Sequence, residues 1–344
     1  IATIGVALVG IGTAQGYEPG WIAGAIISGA YFGDKISPLS DTTVLASSSA
    51  GTPLFAHIKF MMVTTVPSFL ITLVIFLVAS LLHHDTSSAL AADFSNDLKN
   101  SFNISPWLLL VPVLTGILIA KKVSAIATLF IAAVIAGVAA LMFQPQVIGA
   151  IAGNAGEGLT FVDGFKGLSI MYYGATAVET GNEALNSLVS TRGMTGMLST
   201  VFLIIAASCF GGVLVGSGML QSLTDALVRF VRRRVTMVAS TVGTGIFANM
   251  ITGDQYLSIL LTSSLYKKLY HERGYESKLL SRSVEDSATV VSVLIPWNSC
   301  GMTQATVLKV ATLEYLPYCF FNLLSPLMSI FIAAIGYKIV KKSK

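Results

Sequence analysis

Two stretches of this chain place carboxylates inside sequence that is otherwise apolar. The first, YFGDKISPLSDTTVLASSSAGT (Tyr31 to Thr52), sets Asp34, Lys35 and Asp41 among Ser37, Thr42, Thr43 and further hydroxyls. The second, SRSVEDSATVVSVLIPWNSCGMTQATVLKV, carries Glu285 and Asp286, then Pro296, Asn298 and Ser299. A shorter polar break brings Asn249, Thr252 and Asp254 together. Carboxylates flanked by neutral oxygens suit a small hard cation, and an interrupted helix frees backbone carbonyls for the same purpose. A desolvated carboxylate also holds its proton more tightly, so one group can exchange a proton for the cation.

Each candidate has a plainer structural reading. Asp41 or Asp286 could cap a broken helix or pair with Lys35, and Asp34 or Glu285 could pair with Lys35 or Arg282. Thr252-Gly253-Asp254 is ordinary turn chemistry. Ionisable residues inside a membrane are nonetheless functional by default, because burying them costs several kcal/mol, and this puts Asp41 and Asp286 first. Lys59 and Lys309 read as snorkelling side chains. His83-His84 lacks a third metal ligand at suitable spacing, and neither His57 nor His271 has an evident partner for nucleophilic catalysis.

The elements that must position these residues follow from composition. The chain has 344 residues, 54% hydrophobic and 11% charged, with a mean hydropathy of +0.77; a soluble domain carries roughly 25% charged residues. It reads as a polytopic integral membrane protein. The net charge of +4 points to membrane orientation and not to nucleic acid, since the basic residues lie in short runs between apolar segments. Cys209, Cys300 and Cys319 show no disulfide or metal spacing, no cofactor motif is present, and no Walker A pattern indicates ATP drive. The chain opens on Ile1 without a signal pattern, so a fragment lacking upstream helices is expected.

Apolar runs predict a short arm over Ile1 to Ala14 and spans over Phe60 to Leu82, Pro106 to Ala120, Val123 to Phe143, Met194 to Met219 and Leu313 to Tyr337. An amphipathic surface segment is expected at GNEALNSLVS. Lys121-Lys122, Arg232 to Arg234, Lys267-Lys268 and the C-terminal lysines read as cytoplasmic, and the loops over 83–105 and 144–192 as exterior. Basic clusters on both sides of 235–265 predict a hairpin that dips in and returns, its tip at Asn249 to Gln255.

A repeat is visible as well. Ser40-Asp41-Thr42-Thr43 resembles Glu285-Asp286-Ser287-Ala288, while Gly51, Lys59 and Pro67 match Gly301, Lys309 and Pro317 at a constant offset of 250 residues. With the topology above, the copies run in opposite directions. The expected fold is all-α: an inverted-repeat transporter with re-entrant hairpins and discontinuous helices, residues 1–105 belonging to the first repeat and 106–344 to the second.

GAYFGDKISPLSDTTVLA resembles the most characteristic stretch of the NhaC-type sodium/proton antiporter family. ALNSLVSTRGM, NMITGDQYLSI and SVEDSATVVSVLIPWNSCG extend the resemblance over nearly the whole chain. It implies a secondary antiporter of the bacterial cytoplasmic membrane, which makes sodium the cation that Asp41 and Asp286 are expected to hold. The family also includes exchangers that couple sodium and protons to malate and lactate, which stand as the alternative. The implied partners are sodium ions, protons and lipid, with malate or lactate and a second copy of the chain as further candidates. A channel would need a continuous pore ring, and an enzyme a nucleophile–base pair.

Overall fold

The computed structural model of the chain describes residues 4–38, 40–82, 96–121, 123–154, 160–181, 185–186, 189–219, 222, 225–226, 231 and 233–339. His83-His84 with most of the acidic loop, Asn182 to Ala184 and Ser187-Leu188 of GNEALNSLVS, Lys122, Arg232 and the C-terminal lysines lie outside these residues. Contacts divide the chain into two units, Ile1–Thr13 with Tyr17–Asp85 and Thr200–Lys344, and Ala14–Gly16 with Thr86–Ser199.

After α1 (Ile4–Ala14) the first unit continues with α2 (Pro19–Ile36). Pro19 opens α2 at a position where a missing N–H costs nothing. The helix stops before Pro38, because the residue preceding a proline avoids the helical region, and Ser37 is extended. Ser40 then caps α3 (Asp41–Ala50), its Oγ accepting the Thr43 N–H at 3.4 Å, and Gly51 closes α3 in the left-handed conformation with φ 75°. Next comes α4 (Leu54–Leu82), 29 residues with Pro67 inside, about 44 Å long at 1.5 Å per residue. It begins six residues before the span expected from hydropathy, and its first turns bury His57.

In the second unit a 3-10 turn, Pro106–Leu109, leads into α5 (Leu110–Ala120), followed by α6 (Ala125–Phe143), α7 (Pro145–Ala152) and α8 (Phe161–Tyr173). The Tyr172 hydroxyl donates to Ala133 O at 2.6 Å, and Thr160 and Asp163 form a reciprocal cap at the start of α8. Next in the chain is α9 (Gly193–Gly216).

The first unit resumes at Thr200, within α9, and continues with α10 (Arg234–Thr252) and α11 (Gln255–Glu272), joined through Gly253 at φ 63°. The two helices form a hairpin whose turn falls within the expected Asn249 to Gln255. Arg273 Nη2 donates to Val231 O at 3.2 Å, so the open ends of the two helices, and the basic residues on them, meet at one end. The Arg234 guanidinium also reaches Ala334 O at 3.0 Å, and Lys267 Nζ reaches Ser49 O at 3.1 Å.

The second interrupted stretch begins as α12 (Ser277–Val284), widens into a π-turn over Glu285–Thr289, tightens to a 3-10 turn at Ser292–Leu294 and becomes extended at Ile295. Asn298 caps α13 (Ser299–Leu308), and Lys309, at φ 57°, closes it. A short α14 (Thr312–Tyr315) and a 3-10 turn meet α15 (Phe320–Ile335) at a 55° bend. The last span expected over Leu313 to Tyr337 is bent, with Pro317 and the non-helical Cys319 at the break. The 250-residue alignment does not carry helix ends onto helix ends: Gly51 closes α3, whereas Gly301 lies in the first turn of α13.

Among the described residues, four helices are long and apolar enough to cross a bilayer, or five if the bent pair is one span. Exposed Leu, Ile, Val and Phe side chains along α4, α6 and α9 give them lipid-compatible surfaces. The molecule is an all-α, multi-pass membrane protein. Its first unit has a polar interior, with Lys35, His57, Arg282, Glu285 and Asp286 all at 1% exposure or less.

Candidate functional site

The buried charges gather where five elements converge. Lys35 of α2 forms an ion pair with Asp286 of the π-turn and donates to Ser325 of α15 at 2.8 Å. Ser325 and Thr64 of α4 each donate to the same carboxylate oxygen, Asp286 Oδ1, at 3.2 Å. The other oxygen, Oδ2, has no hydrogen-bond partner and stands 3.9 Å from Arg282 Nε of α12. Arg282 lies over the Phe60 ring, 4.8 Å from its centroid, and Nε, Nη1 and Nη2 make no hydrogen bond. Glu285 is fully buried with both carboxylate oxygens unpaired. His57, left without a partner in the sequence reading, meets Ser281 Oγ through Nδ1 at 2.8 Å.

The backbone around these charges is satisfied by amides. Asn249 Nδ2 donates to Ala288 O at 2.5 Å and Asn322 Nδ2 to Val290 O at 2.8 Å, covering carbonyls that the π-turn and the break remove from regular helix bonding. Gly245 lets α10 approach, since a Cβ there would stand 2.4 Å from Ser287 Oγ.

Asp34 and Asp41 occupy a different environment. Both are exposed, and with Tyr31, Thr42, Gln255, Cys300, Thr303 and Gln304 they line an open cavity of about 410 Å³. Thr42 Oγ1 donates to Asp34 Oδ2 at 3.2 Å, and the Thr42 N–H to Asp41 Oδ1 at 3.0 Å. The Tyr256 hydroxyl donates to Asp41 Oδ2 at 2.6 Å. Thr43 Oγ1 reaches back to Lys35 O at 3.4 Å, and Ser37 N–H bonds Asp34 O at 3.1 Å, so both help to terminate α2.

The remaining predicted residues join the hairpin turn to the second break. Asp254 caps α11 by accepting the Leu257 N–H at 2.9 Å, and its Oδ2 accepts the Ser299 hydroxyl at 3.4 Å. Thr252 Oγ1 bonds Ser258 Oγ at 3.0 Å, Asn298 Nδ2 reaches Asn249 Oδ1 at 3.1 Å, and the Ser299 N–H donates to Gly253 O at 2.8 Å.

The predicted residues thus fall into three groups: Asp34, Asp41, Thr42, Thr43 and Ser37 at the first break; Glu285 and Asp286 in the buried network; Asn249, Thr252, Asp254, Asn298 and Ser299 at the hairpin turn. Asp41 and Asp286 share no hydrogen-bond partner among the described residues. Arg282, Thr64, Ser325, Tyr256, Gln255 and Gln304 were absent from the sequence-derived set. Of these, only Arg282, one helical turn before Asp286, had a usable spacing signal.

A multi-pass helical membrane protein with ionisable groups at its helix interruptions belongs structurally with the carriers of small charged solutes. Residues 29–337 match the model of the Na+/H+ antiporter family, and the chain belongs to that family. It is 36% identical over 338 residues to the Na(+)/H(+) antiporter NhaC of Bacillus subtilis, covering 96% of this chain and 70% of that protein. It is also 36% identical over 342 residues to the protein of the same name from Alkalihalophilus pseudofirmus, covering 99% and 71%. The Malate-2H(+)/Na(+)-lactate antiporter of Bacillus subtilis is 31% identical over 320 residues, covering 92% and 65%. No solved structure matches the chain at a significant level.

Proposed function

We propose that this chain exchanges sodium for protons across the bacterial cytoplasmic membrane by alternating access. The observation that carries this reading is the cavity shared by Asp34 and Asp41, which has no basic side chain among its lining residues. Two carboxylates with the hydroxyls and amides around them form an oxygen-rich site for a small hard cation. Sodium and protons compete for those carboxylates. Asp286 belongs to the same machinery as the buried acid, its charge answered by Lys35 until the elements rearrange.

The inverted-repeat reading, with the first copy within residues 1–105 and the second within 106–344, is part of this proposal. It is supported by two ten-residue helices, α3 and α13, each with a side-chain N-cap and a left-handed residue at its end. One register carries Ser40, Asp41, Gly51 and Leu54 onto Asn298, Ser299, Lys309 and Thr312, aligning both helices and the start of the next one. The α10–α11 hairpin with its basic ends on the cytoplasmic side completes the topology, and a re-entrant depth for it is the reading preferred here.

Exchange of an organic anion is the second reading, favoured by the malate/lactate relative and by the guanidinium of Arg282, whose nitrogens make no hydrogen bond. A dicarboxylate would meet two acids in the open cavity, which makes the cation reading the better one. Proteoliposomes with imposed sodium and pH gradients decide between them. Proton movement driven by sodium alone supports the proposal, and strict dependence on malate or lactate would replace it.

A further inference from the structure

The turn of the α10–α11 hairpin abuts the starts of both ten-residue helices. Toward α13 the link is made through Gly253 and Asp254 to Ser299. Toward α3 it is made by the phenol of Tyr256, at 2.6 Å from Asp41 Oδ2. The two contacts differ in kind. The first includes a backbone hydrogen bond, to which no side chain contributes an atom. The second depends on one hydroxyl reaching one carboxylate oxygen.

Asp41 sits in the first turn of α3, and its Oδ1 is engaged by the Thr42 N–H of its own helix. The Tyr256 bond fixes the second oxygen, and with it the rotation of the carboxylate. Thr42 meanwhile donates its hydroxyl to Asp34. The sequence Tyr256, Asp41, Thr42, Asp34 therefore runs from the hairpin across the cavity lining. A carboxylate oxygen has two lone pairs, so Asp41 Oδ2 can accept the phenol and face a cation together. Charge-assisted hydrogen bonds of this kind are short and roughly twice as strong as neutral ones.

Building on the exchange reading, we propose that Tyr256 is a positioning residue for cation binding: its hydroxyl holds Asp41 in the orientation that lets Asp41 and Asp34 act on one ion. It also makes the hairpin turn sensitive to occupancy of the first break. Loss of the hydroxyl frees the Asp41 side chain to rotate, and binding must then restrict it again.

The test is Tyr256→Phe, which keeps the ring, in reconstituted full-chain protein. Half-saturating sodium should rise about tenfold, or roughly 1.4 kcal/mol, with maximal exchange rate and sodium-free melting temperature unchanged. Sodium-induced thermal protection should weaken in parallel, and in an Asp41→Asn background Tyr256→Phe should weaken it no further. An unchanged half-saturation would overturn the inference. So would a fall in maximal rate and melting temperature at unchanged half-saturation, which is the behaviour of a structural tie, and so would additive effects with Asp41→Asn. Failure of the exchange reading looks different: wild-type protein would then show neither sodium-driven proton movement nor sodium protection.

Discussion

Lys35 and Asp286, separated by 251 residues in sequence, form a fully buried ion pair that ties the first interrupted helix to the second. Ser325 bridges the two, accepting from the lysine and donating to the acid. A buried pair of this kind adds little net stability, because desolvation offsets the attraction, but removing one partner leaves an uncompensated charge.

Lys35→Met or Asp286→Asn alone should therefore destabilise the protein by about 3–5 kcal/mol, and the double variant should be more stable than either single one. Thermal unfolding in detergent measures this. Additive losses in the double variant would show that the two groups are not coupled. Asp286→Asn should also abolish exchange.

Asp41→Asn should abolish exchange with little loss of stability, since the carboxylate is exposed and its bonds lie at the cavity rim. Asp34→Asn should raise half-saturating sodium. In wild-type protein the half-saturating sodium concentration should rise as pH falls, because protons occupy more of the shared carboxylates at low pH. Sodium-driven proton movement across a pH series tests all three. A sodium requirement independent of pH would refute competition.

The paired ends of α10 and α11 predict that cysteines at Arg233 and Lys268 label from the same face with an impermeant reagent. The Arg273–Val231 bond leaves little alternative while the hairpin is intact. Labelling from opposite faces would contradict it.

Gly245 and Gly243 make a matched pair on α10. Gly245→Ala would drive a methyl into Ser287 and should cost about 1–3 kcal/mol while impairing exchange. Gly243 has nothing within 4 Å of a built Cβ. Gly243→Ala should be neutral or stabilise by about 0.5–1 kcal/mol, as expected inside a helix. Melting temperatures and transport rates of the two variants provide the comparison.

In the second unit, the Thr160 hydroxyl bonded to Asp163 holds that carboxyl below the usual range, helped by Asn154. A lowered native value means the cap contributes fully above the unfolded pKa of about 3.9, and its contribution disappears as pH falls through the native value. Hydrogen exchange at the first turn of α8 should accelerate in that acid window, and Asp163→Asn should flatten the response.

Local chemistry made much of this legible in the sequence. The first polar interruption, the second with Pro296, Asn298 and Ser299, and the Thr252-Gly253-Asp254 turn all stand out against the apolar sequence around them. The acids are also where an apolar background makes them conspicuous. Their partners are harder to find, because Thr64 and Ser325 are small hydroxyls in apolar helices, where such residues usually bond their own backbone. Nothing in Glu285 to Thr289 announces a π-turn, which arises as α10 and α15 supply amides to its carbonyls. The bend at Cys319 was hidden for a related reason: Pro317 and Pro326 both lie in a run apolar enough to read as one continuous span.

The size of the cavity at Asp34 and Asp41 bears on where ions are told apart. At about 30 Å³ per water, its 410 Å³ admits on the order of ten waters along with an ion. A sodium ion arriving there keeps most of its hydration shell, and so does a lithium or potassium ion. Ions of equal charge look alike while they stay wet. Under the proposed exchange, discrimination must then come where Asp34 and Asp41 replace part of that water, so the open cavity gathers cations by charge and the carboxylate pair makes the choice.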